Sequence, residues 1–129
     1  MGAEFEHPKI FSDALDFCKI YYPIHQNFPK PFRYSVGVKV LDEIAQTLRY
    51  IVLANAVDKA TQEGLMLGAD YVRHVRSSIA VIRGFIMLAW HMKFLSHGAL
   101  SELGSRMESM SKQAARWEQW YKNRCRSLI

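Results

Sequence analysis

The chain has 129 residues, half of them hydrophobic, with 17 lysines and arginines against 12 aspartates and glutamates and a net charge of +5. This length allows a single domain with one hydrophobic core, and the apolar content excludes an intrinsically disordered chain. Two cysteines with no metal-ligand spacing exclude a disulfide scaffold, and no apolar run is long enough to cross a membrane, so we expect a cytoplasmic protein.

The N-terminal part of the chain predicts one helix after an irregular start. Residues 1–8 show no hydrophobic period, and we expect them to be disordered or to include residues added by cloning. Apolar residues at helical spacing then predict a first helix over residues 9–27, with Ser12 and Asp13 as candidates for its cap or first turn. Pro23 lies inside this helix and is expected to bend it or loosen its last turn.

A pair of prolines separates the first two helices. Pro29 and Pro31 push the residues before them out of the helical region, so the first helix should end here and the second begin at Phe32. Lys30 and Arg33 stand beside this break. The sequence therefore predicts a tight corner that carries two cations.

The second and third helices are predicted over residues 32–60 and 68–96. The third has one apolar face that runs from Val72 to Ala89. It also has a second apolar face, which comprises Val81, Phe85, Leu88, Met92 and Leu95. Because no helix of a four-helix bundle is surrounded on all sides, the second face favours a contact between subunits, with deeper burial inside one subunit as the alternative.

The fourth helix is predicted over residues 101–124, with Ser101 as its cap, after a break at His97-Gly98. Its apolar spacing is typical of left-handed bundle packing. The chain shows no alternation typical of strands. We therefore predict an all-α fold, an up-down antiparallel four-helix bundle over residues 9–124, followed by a C-terminal tail over residues 125–129.

Positive charge increases toward the C-terminus, where residues 97–129 hold six basic and three acidic side chains. A basic excess of this kind points to phosphate binding, with an ordinary solvated surface as the alternative. Arg76 and Arg83 are seven residues apart and so share a helix face, and Arg73 neighbours Arg76. With Arg116, these arginines are our candidates from composition and helical phase for contacts with nucleic acid.

Motifs for catalysis, metals or cofactors are not apparent. The only Glu-x-x-His spacing is Glu4 to His7, in the irregular N-terminus. Arg83 and His91 have seven residues between them, which is out of register for a helical ribonuclease motif with four to six. We therefore predict a non-enzymatic protein without a cofactor or metal, and a ribonuclease that uses His91 as its base is the weaker alternative.

Four short motifs stand out along the four predicted helices. They are Tyr22-Pro23-Ile24, Phe28-Pro29-Lys30-x-x-Arg33-Tyr34-x-x-Gly37, Lys93-Phe94-Leu95-Ser96 and Ser111-Lys112-x-x-x-x-Trp117. These motifs resemble the accessory variability determinant (Avd) family of diversity-generating retroelements, which is related to the rRNA intervening-sequence four-helix proteins. The resemblance covers residues 9–124. Lys112 stands where the family usually has arginine, and Ala115-Arg116 stand where it has paired glycines.

The resemblance implies four-helix subunits that assemble into a ring-like homo-oligomer, a homopentamer, with a basic surface. It implies a non-catalytic accessory protein that binds nucleic acid, either template RNA or RNA–DNA. It also implies association with the retroelement's reverse transcriptase in support of mutagenic retrohoming. Lys30, Arg33 and Lys112 are the basic residues that match the family's motifs. The alternative is a bundle of the rRNA intervening-sequence type that acts as a protein-interaction scaffold and does not bind nucleic acid directly.

Overall fold

The computed structural model describes residues 8–128, and most of this range is helical. We label the helices α1 (Lys9–Gln26), α2 (residues 30–55), α3 (Gln62–His91) and α4 (His97–Ser127). Helix α2 runs without a break through a helical turn at Lys30–Phe32, a π-helical turn at Arg33–Gly37 and an α-helix at Val38–Asn55. No strand occurs between residues 8 and 128, so the predicted all-α class is confirmed.

The four helices form an antiparallel bundle. Phe32, at the start of α2, packs against Phe94, which follows the end of α3. At the opposite end of the bundle, the Tyr121 hydroxyl near the end of α4 donates a hydrogen bond to the Ala54 carbonyl near the end of α2. Helix α3 packs most extensively against α2 and α4, and α1 closes the bundle against the same two helices.

Helix α1 begins at Lys9, as predicted, and Pro8 is the residue before it. Ser12 lies in the first turn, one of the two positions predicted for it, and neither Ser12 nor Asp13 caps the helix. The Asp13 carboxylate instead accepts hydrogen bonds from the Lys9 ammonium, at 2.9 Å, and from the Gln113 amide of α4, at 2.6 Å. Asp13 therefore links α1 to α4. Of the predicted disordered segment at residues 1–8, residues 1–7 lie outside the described residues.

The corner between α1 and α2 is tighter than the sequence indicated. Helix α2 begins at Lys30 rather than Phe32, because Pro29 precedes the helix and Pro31 occupies its first turn, where a missing N–H is not needed. The helix ends at Asn55 rather than near residue 60. There the Asp58 carboxylate accepts the Ala60 backbone N–H at 2.9 Å and stabilises a turn.

Helices α3 and α4 both begin earlier than predicted because hydroxyl caps precede them. The Thr61 hydroxyl accepts the Gly64 N–H at 3.0 Å, so α3 starts at Gln62 instead of residue 68. The Ser96 hydroxyl accepts the Ala99 N–H at 3.1 Å, so Ser96 is the cap in place of Ser101. His97-Gly98 is the first turn of α4 and not a break, and residues 125–127 continue the helix instead of forming a tail.

The two apolar faces of α3 have different environments. Its first face, from Val72 to Ala89, is buried in the core. On the second face, Val81, Leu88 and Met92 are exposed by 43%, 40% and 51%. Leu95 of this set lies beyond the end of the helix and is buried, so it does not belong to the exposed face. No helix between residues 8 and 128 is long and apolar enough to cross a membrane.

Candidate nucleic-acid interface

Arg33 has a structural position at the corner between α1 and α2. Its guanidinium donates a hydrogen bond to the Gln26 carbonyl at 3.0 Å, and it lies 5.0 Å from the centre of the Tyr34 ring. A cation at the carbonyl end of a helix is favourable, so Arg33 stabilises the end of α1. Lys30 is exposed at the same corner. Neither residue lines the depressions that the other candidate cations surround.

Three of the predicted arginines surround one open depression between α3 and α4. This depression has a volume of about 450 Å³, and Ser111 of α4 forms part of its wall. Its other residues lie on α3: Arg73, Arg76, Ser77, Ala80 and Arg83. We call this depression the basic groove. The prediction that Arg73, Arg76 and Arg83 share one surface is confirmed by this arrangement.

The buried carboxylate of Glu118 holds the cations at the Arg73 end of the basic groove. The Glu118 side chain is only 5% exposed, and its carboxylate lies 2.8 Å from the Arg76 guanidinium and 2.8 Å from the Lys122 ammonium. Arg73 lies 3.7 Å from the same carboxylate and 3.5 Å from Asp70. Three cations from two helices therefore converge on one carboxylate.

The electrostatics of this cluster keep Glu118 ionised. Burial raises the pKa of this carboxyl, but hydrogen bonds and charge from Lys122 and Arg76 lower it by more, so the pKa lies below its usual value. The ionised carboxylate compensates one positive charge of the three around it. The surface above it stays positive, and its cations are fixed in place rather than free to move in solvent.

Lys112 and Arg116 lie around a separate depression along α4, which Ser105, Glu108 and Ser109 also line. The Lys112 ammonium forms an ion pair with Glu108 at 3.2 Å. The Arg116 guanidinium donates to the Lys112 carbonyl at 3.4 Å. Both cations are thus tied to their own helix, and the structure does not bring them into the basic groove.

A third depression, at the other end of the α3–α4 contact, is mainly apolar. It has a volume of about 320 Å³. Leu65, Met66 and Ala69 of α3 form its floor, and Tyr121 and Cys125 of α4 also line it. Arg73, Lys122 and Arg126 stand around it. We call it the apolar depression. It adjoins the basic groove because Arg73 lines both.

Sequence reasoning missed Glu118, Lys122 and Arg126 as parts of this surface. The sequence does contain a signal for the first two, since Glu118 precedes Lys122 by one helical turn. Apolar spacing places Trp117, and not Glu118, on the buried stripe of α4, but in the structure Trp117 is half-buried and Glu118 is buried. A carboxylate at a buried position requires cationic partners.

No group of three or more His, Cys, Asp or Glu side chains in residues 8–128 is placed to hold a metal ion. His91 is exposed and packs its ring against Trp90, at 5.1 Å between ring centres. No carboxylate of the described range forms an ion pair with it.

Fold and surface together define a helical bundle with a basic groove between its last two helices. No protein-family model matches the chain, and neither the curated proteins nor the solved structures contain a match to it.

Proposed function

We propose that this protein is a non-catalytic accessory factor that binds nucleic acid through the basic groove. The observation that carries the proposal is the arrangement around Glu118, where one buried carboxylate fixes Arg73, Arg76 and Lys122 along the junction of two helices. Fixed cations lose less conformational entropy on binding than mobile ones, and guanidinium groups suit the geometry of phosphate oxygens.

The contacts would be made to the phosphate backbone. Arg83 extends the groove along α3 and has no ion pair or hydrogen bond within residues 8–128, so its donors are open to a ligand. A row of cations recognises the spacing of phosphates and not the identity of the bases. Template RNA or an RNA–DNA hybrid, both with A-like geometry, is therefore the ligand we propose.

The biological role follows from the resemblance to the Avd family. We propose that the protein acts in the cytoplasm beside the reverse transcriptase of a diversity-generating retroelement and supports mutagenic retrohoming. The partner would carry out the copying of the template. In this reading the protein forms a ring-like homo-oligomer, a homopentamer, in which the basic groove of each subunit is repeated around the ring. Lys30, Arg33 and Lys112 remain candidate contacts from the family motifs.

A protein-interaction scaffold without direct nucleic-acid binding is the second candidate. The exposed second face of α3 favours it, since Val81 and Leu88 are seven residues apart and present apolar surface on one side of the helix. In this case the positive charge would meet an acidic protein.

Salt-dependent binding of nucleic acid tests the proposal. We expect the full chain to bind a labelled structured RNA and an RNA–DNA hybrid at low salt, and to lose affinity steeply as salt rises. Arg83→Ala should weaken binding to both and reduce the slope of log affinity against log salt by about one, as expected for the loss of one phosphate contact.

Arg49→Ala is the matched control for Arg83→Ala. Arg49 is an exposed arginine of α2 that also has no hydrogen bond or ion pair within the described range, so both variants remove the same charge. Equal losses of affinity in the two variants would show that the basic groove is not the contact. An absence of binding at low salt would overturn the proposal and favour the scaffold.

A further inference from the structure

The apolar depression has a chemistry that phosphate contacts alone do not use. Its floor is built from Leu65, Met66 and Ala69, and Met66 is 59% exposed even though it is an apolar side chain. Exposed apolar surface next to a charged rim is typical of a site that takes a ligand with both an apolar and an anionic part.

The rim supplies cations that complement the anionic part of such a ligand. Lys122 is held from below by Glu118 at 2.8 Å, and Arg73 by the same carboxylate at 3.7 Å. Arg126 donates to the Asn123 side chain of its own helix at 3.2 Å and stays exposed. Four cations (Arg73, Arg76, Lys122 and Arg126) stand against two carboxylates (Glu118 and Asp70), so the rim stays positive.

The depression also continues the basic groove. Arg73 belongs to the wall of both, so a chain of phosphates that follows Arg83, Arg76 and Arg73 along α3 arrives at the edge of the apolar floor. A ligand with one charged head group would account for the rim but not for the groove. A polyanion whose repeating units carry flat apolar groups accounts for both.

We propose that the apolar depression receives an unpaired base of a single-stranded segment of nucleic acid, while its neighbouring phosphates lie on Arg73, Lys122 and Arg126. This inference rests on the proposed function and adds the class of ligand: a strand with at least one unstacked base. Bases within a duplex are paired and stacked and cannot reach the floor, whereas the unpaired bases of RNA loops and ends can be turned outward.

Met66 is then the residue that distinguishes a base from a phosphate. As an exposed thioether with no charge, it has no part in electrostatic binding, but it offers a polarisable surface to a flat ring. Leu67, its neighbour, is also exposed, by 45%, but does not line the depression. The two residues form a matched pair for truncation to alanine, which favours the helix in both cases.

The experiment compares two labelled strands of equal length and charge, an oligoadenylate and a ribose-phosphate strand that lacks every base. The full chain should bind the oligoadenylate more tightly by about fivefold, the lower end of what one stacked base contributes, since the exposed side chain here is Met66 and the Tyr121 ring that also lines the depression is fully buried. Met66→Ala should remove most of this difference and leave the affinity for the abasic strand unchanged. Leu67→Ala should behave as the unmodified protein.

The remaining outcomes separate this inference from the function on which it rests. If both strands bind equally and Met66→Ala changes nothing, while Arg83→Ala still weakens binding, the groove binds phosphates and the base site is refuted. If neither strand binds at low salt although the structured RNA does, only the base site is refuted. If the structured RNA and the RNA–DNA hybrid also fail to bind, the proposed function fails as well. A fatty acid gives the last outcome. If it binds the protein, loses affinity on Met66→Ala and displaces neither strand, the depression is a site for an amphipathic anion, and the base site is again refuted.

Discussion

Glu118 shows how one buried residue can organise the cations of a surface. A carboxylate that is almost fully buried needs cationic partners, and here Arg76 and Lys122 supply them from two helices. The ion pairs also order the cations, because long side chains that would otherwise sample many rotamers are held in one place. The position of the cations in the basic groove is therefore set from inside the protein.

His25 is the residue at which we expect pH to affect stability. It is buried at the end of α1, with Nδ1 at 3.2 Å from the Tyr21 hydroxyl, which also donates to the Gly37 carbonyl at 3.3 Å. Burial, and then the charge of Arg33, lowers the pKa of His25 below its usual value of 6.5. The unfolded chain therefore binds a proton more readily than the folded protein.

This sign gives the direction of the effect. The contribution of His25 to stability is complete above about pH 6.5 and is lost as the pH falls from there through the folded pKa. We expect urea unfolding to give a lower free energy at about pH 5.5 than at about pH 7.5. An NMR titration of the ring should place the pKa of His25 below that of an unfolded peptide.

Two controls keep the prediction testable. His25→Gln removes the titrating ring, and a folded variant should show a shallower dependence on pH over the same range. If that variant does not fold, the titration of the unmodified protein still decides. A ring pKa at or above 6.5 would contradict the burial argument.

At the level of the helix, two glycines of α3 have opposite environments. A Cβ atom at Gly68 would lie 2.6 Å from the ring of Tyr121, which is fully buried and hydrogen-bonded to Ala54, so the ring cannot move aside. A Cβ atom at Gly84 would meet nothing within 4 Å. Gly68 is thus required by close packing of α3 on α4, and Gly84 is not.

We expect Gly68→Ala to destabilise the protein by about 1–3 kcal/mol, the usual cost of overpacking. Gly84→Ala should stabilise it by up to about 1 kcal/mol, because alanine is the better helix former and no contact within the subunit opposes it. Urea unfolding followed by circular dichroism measures both. Stabilisation by both variants would mean that the contact with Tyr121 is not tight.

The helices themselves were predictable, and their ends were less so. Apolar spacing located all four, since each buries one stripe in the core. The ends depend on single polar contacts, and the first turns after Thr61 and Ser96 each contain a glycine, which weakens the helical pattern in the sequence there. The π-helical turn at Arg33–Gly37 left no trace in the spacing. There Gly37 lets the chain approach His25, where a Cβ atom would lie 2.8 Å from the ring.

At the scale of the whole molecule, the sequence predicted the candidate site only for those residues that lie together on one helix. Arg73, Arg76 and Arg83 share a face of α3 by helical phase alone. The pairing of Arg76 with Glu118 spans 42 residues and depends on how α3 and α4 are rotated against each other, which spacing does not specify. Spacing likewise does not specify that the corner with Lys30 and Arg33 lies apart from the basic groove.

Self-association is the remaining property of the whole molecule that the sequence predicts. The exposed face of α3 with Val81 and Leu88 is distinct from the basic groove, because neither residue lines the groove and both are turned away from Arg76 and Arg83 on the same helix. A second copy could therefore cover the apolar face and leave the groove open. Burying apolar side chains of this size between subunits would supply the driving force.

A charge placed on this face should separate the subunits. We expect the unmodified protein to elute as an oligomer in size-exclusion chromatography with light scattering, and Val81→Asp to shift it toward the monomer, since an unpaired carboxylate in an apolar interface is costly. Val52→Asp is the control, because Val52 is an exposed valine of α2, with 49% of its surface accessible against 43% for Val81. Circular dichroism should show both variants folded. If the unmodified protein is monomeric, or if both variants dissociate it equally, this face is not the subunit contact. If Val81→Asp dissociates the oligomer and retains RNA binding, the basic groove and the interface act separately.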